Sequence, residues 1–210
     1  MLSLFAMAAP LVYLLGVIIG GILWPGYSHY SQTVSTLTEA NAPNQNVMVP
    51  LFGLYNIFVI LFGFGMYLAV YRTKIPVGPM LLIASGVGGL ILFFFPQDPQ
   101  RPLVSFAGTM HVVVAGIIAL LSLLAMGAIW RHFRKDDRWA GYDTFCLMML
   151  SIAIAFGGFG AASITTGYAG LAERISIGTI LCWMEVLAIG LFRWSTRGFA
   201  SSNQLKKNSE

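Results

Sequence analysis

Eight side chains able to do chemistry are dispersed along this sequence: His29, Ser35, Glu39, Asp98, Arg101, His111, Glu173 and Arg174. Two imidazoles and a carboxylate form a donor set for Zn²⁺ with an open position for water, and Ser35 or that water would attack an ester or amide of a lipid. The sequence has no H-x-x-x-H or H-E-x-x-H spacing, so such a site would be assembled from separate segments. Asp98 stands in Pro96-Gln97-Asp98-Pro99, where one proline stops a helix and the other keeps the chain extended. His111 follows 13 positions later. An Asp98–His111 hydrogen bond would fix the imidazole tautomer for acid/base work, or simply tie two segments together. The two arginines, and Arg174 in particular, suit an anionic group.

The elements that must position these residues are long and apolar. Hydrophobic residues make up 57% of the chain and charged ones 10%, too little polar surface to cover a soluble globule. A helix needs roughly 20 mainly apolar residues to cross ~30 Å of hydrocarbon, whereas a barrel shows short alternating segments. Six stretches qualify as helices, at about 2–23, 51–71, 79–95, 110–129, 145–165 and 175–192. The sequence therefore predicts an all-α integral membrane protein with six transmembrane helices in one bundle. Residues 196–210 form a polar tail, expected to be disordered.

Ten of the 12 Lys and Arg residues fall on alternate connections or the tail: Arg72, Lys74, Arg131, Arg134, Lys135, Arg138, Arg193, Arg197, Lys206 and Lys207. Only Arg101 and Arg174 lie on the opposite side. The positive-inside rule then places both termini in the cytoplasm of a cell whose plasma membrane the chain spans. The net charge of +4 comes from residues scattered over short loops, not from a basic face, which excludes nucleic acid as a partner and leaves membrane lipids. The first span has no basic start and no A-x-A site after it, and is expected to be retained. Cys146 and Cys182 fall inside spans and read as packing residues. So do Gly16 and Gly20, and Gly157 and Gly158 with Ala161 and Ala162, which let helices approach closely.

Sidedness gathers the reactive residues. Tyr27, Tyr30, Val34 and Leu37 recur at helical spacing in the first connection, with Ser28, Gln32, Ser35 and Glu39 on another face. The pattern predicts a short interfacial helix there. His29, Ser35, Glu39, Asn56, Asp98, Arg101, His111, Glu173 and Arg174 all come to the outward end. Glu185 stands apart, near mid-membrane by the 1.5 Å rise per residue, where a carboxylate needs hydroxyl partners, water or a proton. Ser85, Ser122, Ser151 and Cys182 are the candidate partners at that depth. Arg131-His132-Phe133-Arg134-Lys135 on the inward side suits anionic headgroups.

Tyr30-Ser31-Gln32-Thr33-Val34-Ser35, Phe95-Pro96-Gln97-Asp98, His111 and Gly170-Leu171-Ala172-Glu173-Arg174-Ile175 occur together and in order. In these motifs, and over about residues 11–193, the chain resembles the six-span prokaryotic membrane proteins grouped as domain of unknown function 998. The resemblance implies that Ser35, Asp98, His111, Glu173 and Arg174 belong to one shared feature, and it supplies no reaction. Where the family pattern has Ser followed by Glu, this chain reads Ser35-Thr36, with Glu39 one turn on.

The expected function is an outward-facing polar pocket that binds or handles a lipid headgroup or small amphiphile. Its candidate ligand-binding residues are Arg174, Glu173, Arg101, His29 and Glu39. One alternative is a metal-dependent or water-activating membrane hydrolase with His111, Asp98 and Ser35 as catalytic residues. Another is a proton-coupled carrier centred on Glu185 with Ser122 and Ser151. Neither the oligomeric state nor a resident cofactor is legible at this level, Zn²⁺ being the one metal the donor set would fit.

Overall fold

The computed structural model describes residues 2–70, 76–99, 105–163 and 167–207, with only the backbone at 69–70 and from 195 onward. Arg101 lies outside the described residues, as do Arg72 and Lys74. Six helices carry the fold: α1 Leu2–Leu23, α2 Gln45–Val70, α3 Val77–Ile91, α4 Phe106–Phe133, α5 Tyr142–Ala162 and α6 Ala169–Lys207. Each is long and apolar enough to cross a membrane, α3 together with the 3-10 turn Leu92–Phe94 that continues it, and no strand occurs among the described residues. The chain is an all-α, multi-pass membrane protein.

Several helices start before their hydropathy limits, while α3 and α5 end short of theirs. α2 starts before Pro50 and runs through it, because a transmembrane helix can satisfy the carbonyls that a proline frees. α4 starts at Phe106, where Ser105 Oγ accepts the Gly108 N–H at 2.9 Å as an N-cap, so His111 falls in the second turn rather than opening the span. α6 continues to Lys207, over residues for which composition alone predicts an unstructured tail.

Each helix packs on the next, and α6 returns to α1, closing a six-membered ring. Close approach depends on small residues: a Cβ on Gly86 would stand 2.9 Å from the carbonyl oxygen of Asn56 on α2. Gly16 and Gly20 face Phe52 and Met48 of α2, so the G-x-x-x-G of the first span is used within the chain. At the end bearing the termini, Phe62, Met66, Met126, Ile129, Phe133, Trp183, Met184 and Leu187 fill the centre of the ring. Phe133 stacks on Trp139 at 4.5 Å, and Trp183 Nε1 donates to Cys146 Sγ at 3.2 Å, so that Cys146 is a packing residue. At the other end, the loop end, the centre is not filled.

Candidate functional site

A cavity of about 450 Å³ occupies the loop-end half of the ring and is lined by all six helices. Helical periodicity builds its walls: His111, Ala115, Ile118 and Ser122 form one stripe of α4, and Glu173, Ile177 and Ile180 one stripe of α6. Asn56 faces it from α2, its Nδ2 donating to the Phe52 carbonyl at 2.8 Å. The mouth is polar, with Thr33, Ser35, Thr38, Gln45 and Gln97. The deep end, towards Ile180 and Ser122, is mostly apolar. Val112 and Ala119 of α4 and Gly157 and Ala161 of α5 line the cavity and are exposed rather than packed. The seam between α4 and α5 is therefore the least tightly closed part of its wall.

His111 is 3% exposed. Its Nδ1 lies 2.8 Å from the Phe95 carbonyl oxygen, which can only accept, so Nδ1 carries the proton. The other nitrogen, Nε2, is then a lone pair, enclosed and without a partner among the described residues. Glu173 is the one carboxyl among the described lining residues, and no Lys or Arg is among them. Its Oε2 accepts the Val34 N–H at 2.5 Å, which ties the cavity wall to the first loop.

That loop is not one continuous amphipathic helix from Tyr27 to Leu37, the span of its periodicity, although Val34 and Leu37 of the predicted stripe do pack on the bundle. It is a series of turns ending in a short 3-10 helix, Val34–Thr38, folded inward over the ring, with Val34, Thr36, Leu37 and Glu39 buried. Arg174 fastens it: Nη1 donates to the Gln32 carbonyl at 2.7 Å and to Gly170 O at 3.0 Å, and Nη2 to Tyr27 Oη at 2.5 Å. The Tyr27 hydroxyl in turn donates to Thr33 O at 2.7 Å, and the Leu171 N–H to Tyr30 O at 2.8 Å. Asn44 Nδ2 closes the far side on the Gly20 carbonyl at 2.9 Å. These long-range bonds, invisible to a periodicity argument, outweigh the surface stripe. Arg174 is spent on the loop and does not line the cavity, so the structure gives it a positioning place.

The remaining candidates separate. Ser35 lines the mouth. Glu39 is buried beside it without lining the cavity, and burial pushes its carboxyl above the ordinary range. His29 is exposed, packs on Gly21 and sets its ring edge-on to Tyr27 at 5.1 Å. Burial first, and the Arg174 charge second, lower its basicity. Asp98 receives the Ser105 hydroxyl at 2.6 Å and the Ser105 N–H at 3.0 Å, and its carboxylate presses against Gly108. It serves the N-terminus of α4, while His111 Nδ1 pairs with Phe95. Among the described residues, no three His, Cys, Asp or Glu side chains come together as a metal site. Glu185 Oε2 is enclosed with no partner among the described residues, whereas Ser122, Ser151 and Ser85 donate to carbonyls of their own helices. Ser151 is exposed on the outer surface, and Glu185 does not line the cavity.

The family model described as "Protein of unknown function (DUF998)" matches residues 7–190. The chain belongs to the DUF998 family. No curated protein and no solved structure matches it. Membership of DUF998 accounts for the multi-pass helical architecture and brings no reaction with it, so chemistry must be read from the cavity. Sequence reasoning missed Tyr13 and Ser176, which line this DUF998 cavity, and Ser105, which holds Asp98. Ser176 was reachable, because it lies three residues after Glu173 on the same helical face.

Proposed function

We propose that this DUF998 protein binds a small membrane-resident amphiphile in the axial cavity, with the loop end facing outward and the termini in the cytoplasm. The observation that carries the reading is the polarity gradient of one cavity. Hydroxyls and amides surround its mouth, a carboxyl and an imidazole lone pair stand below them, and apolar side chains line its depth. A volume of about 450 Å³ lies within the range of small-molecule pockets. The exposed α4–α5 seam supports entry sideways from the bilayer, and the distribution of Lys and Arg supports the orientation. A hydrolase built on Asp98 and His111 has less support, since Asp98 accepts from Ser105 and the His111 Nδ1 proton goes to the Phe95 carbonyl. A carrier centred on Glu185 would need that residue to reach the cavity.

The test is native mass spectrometry of the protein released from lipid nanodiscs, comparing wild type with Ala115→Phe and Ala119→Phe, which fill the cavity with aromatic rings. The expected result is a bound amphiphile of one mass class on wild type that both variants lose while keeping their helix content. Equal occupancy in well-folded variants would refute the reading.

A further inference from the structure

We infer that the headgroup recognised in this cavity is a primary amine: the ligand is a cationic, single-amine amphiphile rather than an anionic or neutral one. The inference rests on the binding reading above and deepens it. Its observations are two. First, His111 offers the cavity an acceptor, not a donor, because the Phe95 carbonyl holds the Nδ1 proton and leaves the enclosed Nε2 lone pair without a partner. A ligand that fills that vacancy must bring an N–H or O–H. Second, the one ionisable partner for a ligand charge among the described lining residues is a carboxyl, Glu173, and the nearest guanidinium, Arg174, is turned away and held by Gln32, Gly170 and Tyr27.

A primary amine meets both demands with one group. An alcohol would satisfy His111 but gain no ion pair with the carboxylate, and a phosphate or carboxylate would bring a second negative charge beside that carboxylate and no proton for Nε2. With an amine, the bound pair is ammonium and carboxylate, a proton on the separated carboxyl passing to a neutral amine or, where the amine arrives as ammonium, to water, and an N–H is left for Nε2.

The experiment uses the full chain in phosphatidylcholine nanodiscs and three photo-crosslinking probes with the same C12 chain and mid-chain diazirine, differing only in the head: primary amine, alcohol or phosphate. Crosslinked peptides are counted by mass spectrometry. The amine probe is expected to label the α4 and α5 segments that line the cavity about tenfold more than the other two, the ratio by which a charge-assisted hydrogen bond exceeds a neutral one. Glu173→Gln retains an oxygen for the Val34 N–H and is expected to bring the amine down to the level of the alcohol. The wild-type comparison needs no variant, so misfolding of Glu173→Gln leaves it decisive. Equal labelling by all three heads, or a preference for the phosphate, overturns the amine inference while leaving a binding cavity. Failure of every probe to label the cavity overturns the binding reading as well.

Discussion

Gly170→Ala probes the fastening of the loop on α6, and the structure decides in advance how far the damage should go. A Cβ at this position would overlap the backbone carbonyl of Gln32 and press on Arg174 Nη1 at 2.9 Å. Two responses compete. The loop could detach, giving up the Leu171 N–H to Tyr30 bond, two bonds from Arg174 to Gln32 and Tyr27, and the Val34 N–H to Glu173 bond. One neutral bond at about 1 kcal/mol and three with a charged partner at about 1.5–3 each place that loss near 5–10 kcal/mol. Alternatively the two backbones could part by well over half an ångström, because the Cβ meets a backbone carbonyl and not a flexible side-chain end, which places the strain at the top of the usual overpacking range, about 3 kcal/mol. The smaller cost wins, so Gly170→Ala should lose about 3 kcal/mol with the loop still in place. Gly158→Ala, with open space around it, should lose nothing. Reversible unfolding in mixed micelles gives the energies, and maleimide labelling of Thr38→Cys in each background reports detachment. Wild-type stability in Gly170→Ala, or full labelling at Thr38→Cys, would refute the arithmetic.

Two further substitutions separate structural from binding roles. Asp98→Asn removes a charge from the N-terminus of α4 and should cost about 0.5–1 kcal/mol with cavity labelling unchanged; labelling lost at undiminished stability would place Asp98 in the binding site instead. Glu39→Gln tests linkage: a folded-state carboxyl raised by burial binds its proton more tightly than the unfolded one, so its contribution is complete below about pH 4.5 and is lost as pH rises through the folded value. Wild type should therefore lose thermal stability on going from acid to neutral pH relative to Glu39→Gln, and parallel profiles for the two proteins would contradict this.

The helices were legible because hydropathy over some 20 residues is a bulk property that no tertiary contact overrides in lipid. The loop was not, since the Val34 N–H and the Gln32 carbonyl are bonded to Glu173 and Arg174, 139 or more positions away, and the local stripe of Tyr27, Tyr30, Val34 and Leu37 does not encode those bonds. Sidedness drew the reactive residues to one end of the bundle without saying which way each would point. Glu173 and Arg174 illustrate the limit: neighbours on a helix differ by about 100° in direction, and that rotation sends one into the cavity and the other to the loop. Asp98 and His111 share a level as expected, yet a serine cap and a backbone carbonyl, each competing locally, take the bonds that sequence reasoning offered to the pair.

The contrast between the two halves of the ring follows from side-chain volume. The closed end puts Trp183, Phe62 and Phe133 towards the axis, and the loop end puts Gly89, Ala115, Gly157 and Gly160 there, so a continuous ring of helices is solid at one end and hollow at the other. An empty hollow is hard to sustain. Keeping the apolar part of its wall in contact with water alone is unfavourable by about 25 cal/mol per Å². Water can occupy the mouth, where Ser35, Gln45 and Gln97 offer partners, but the apolar wall near Ile177 and Ile180 offers water almost none. An acyl or alkyl chain of the proposed ligand, entering through the α4–α5 seam, would remove that cost and leave its head beside Glu173 and His111. The residues that keep the ring open are thus part of the same site as the two that would read the head.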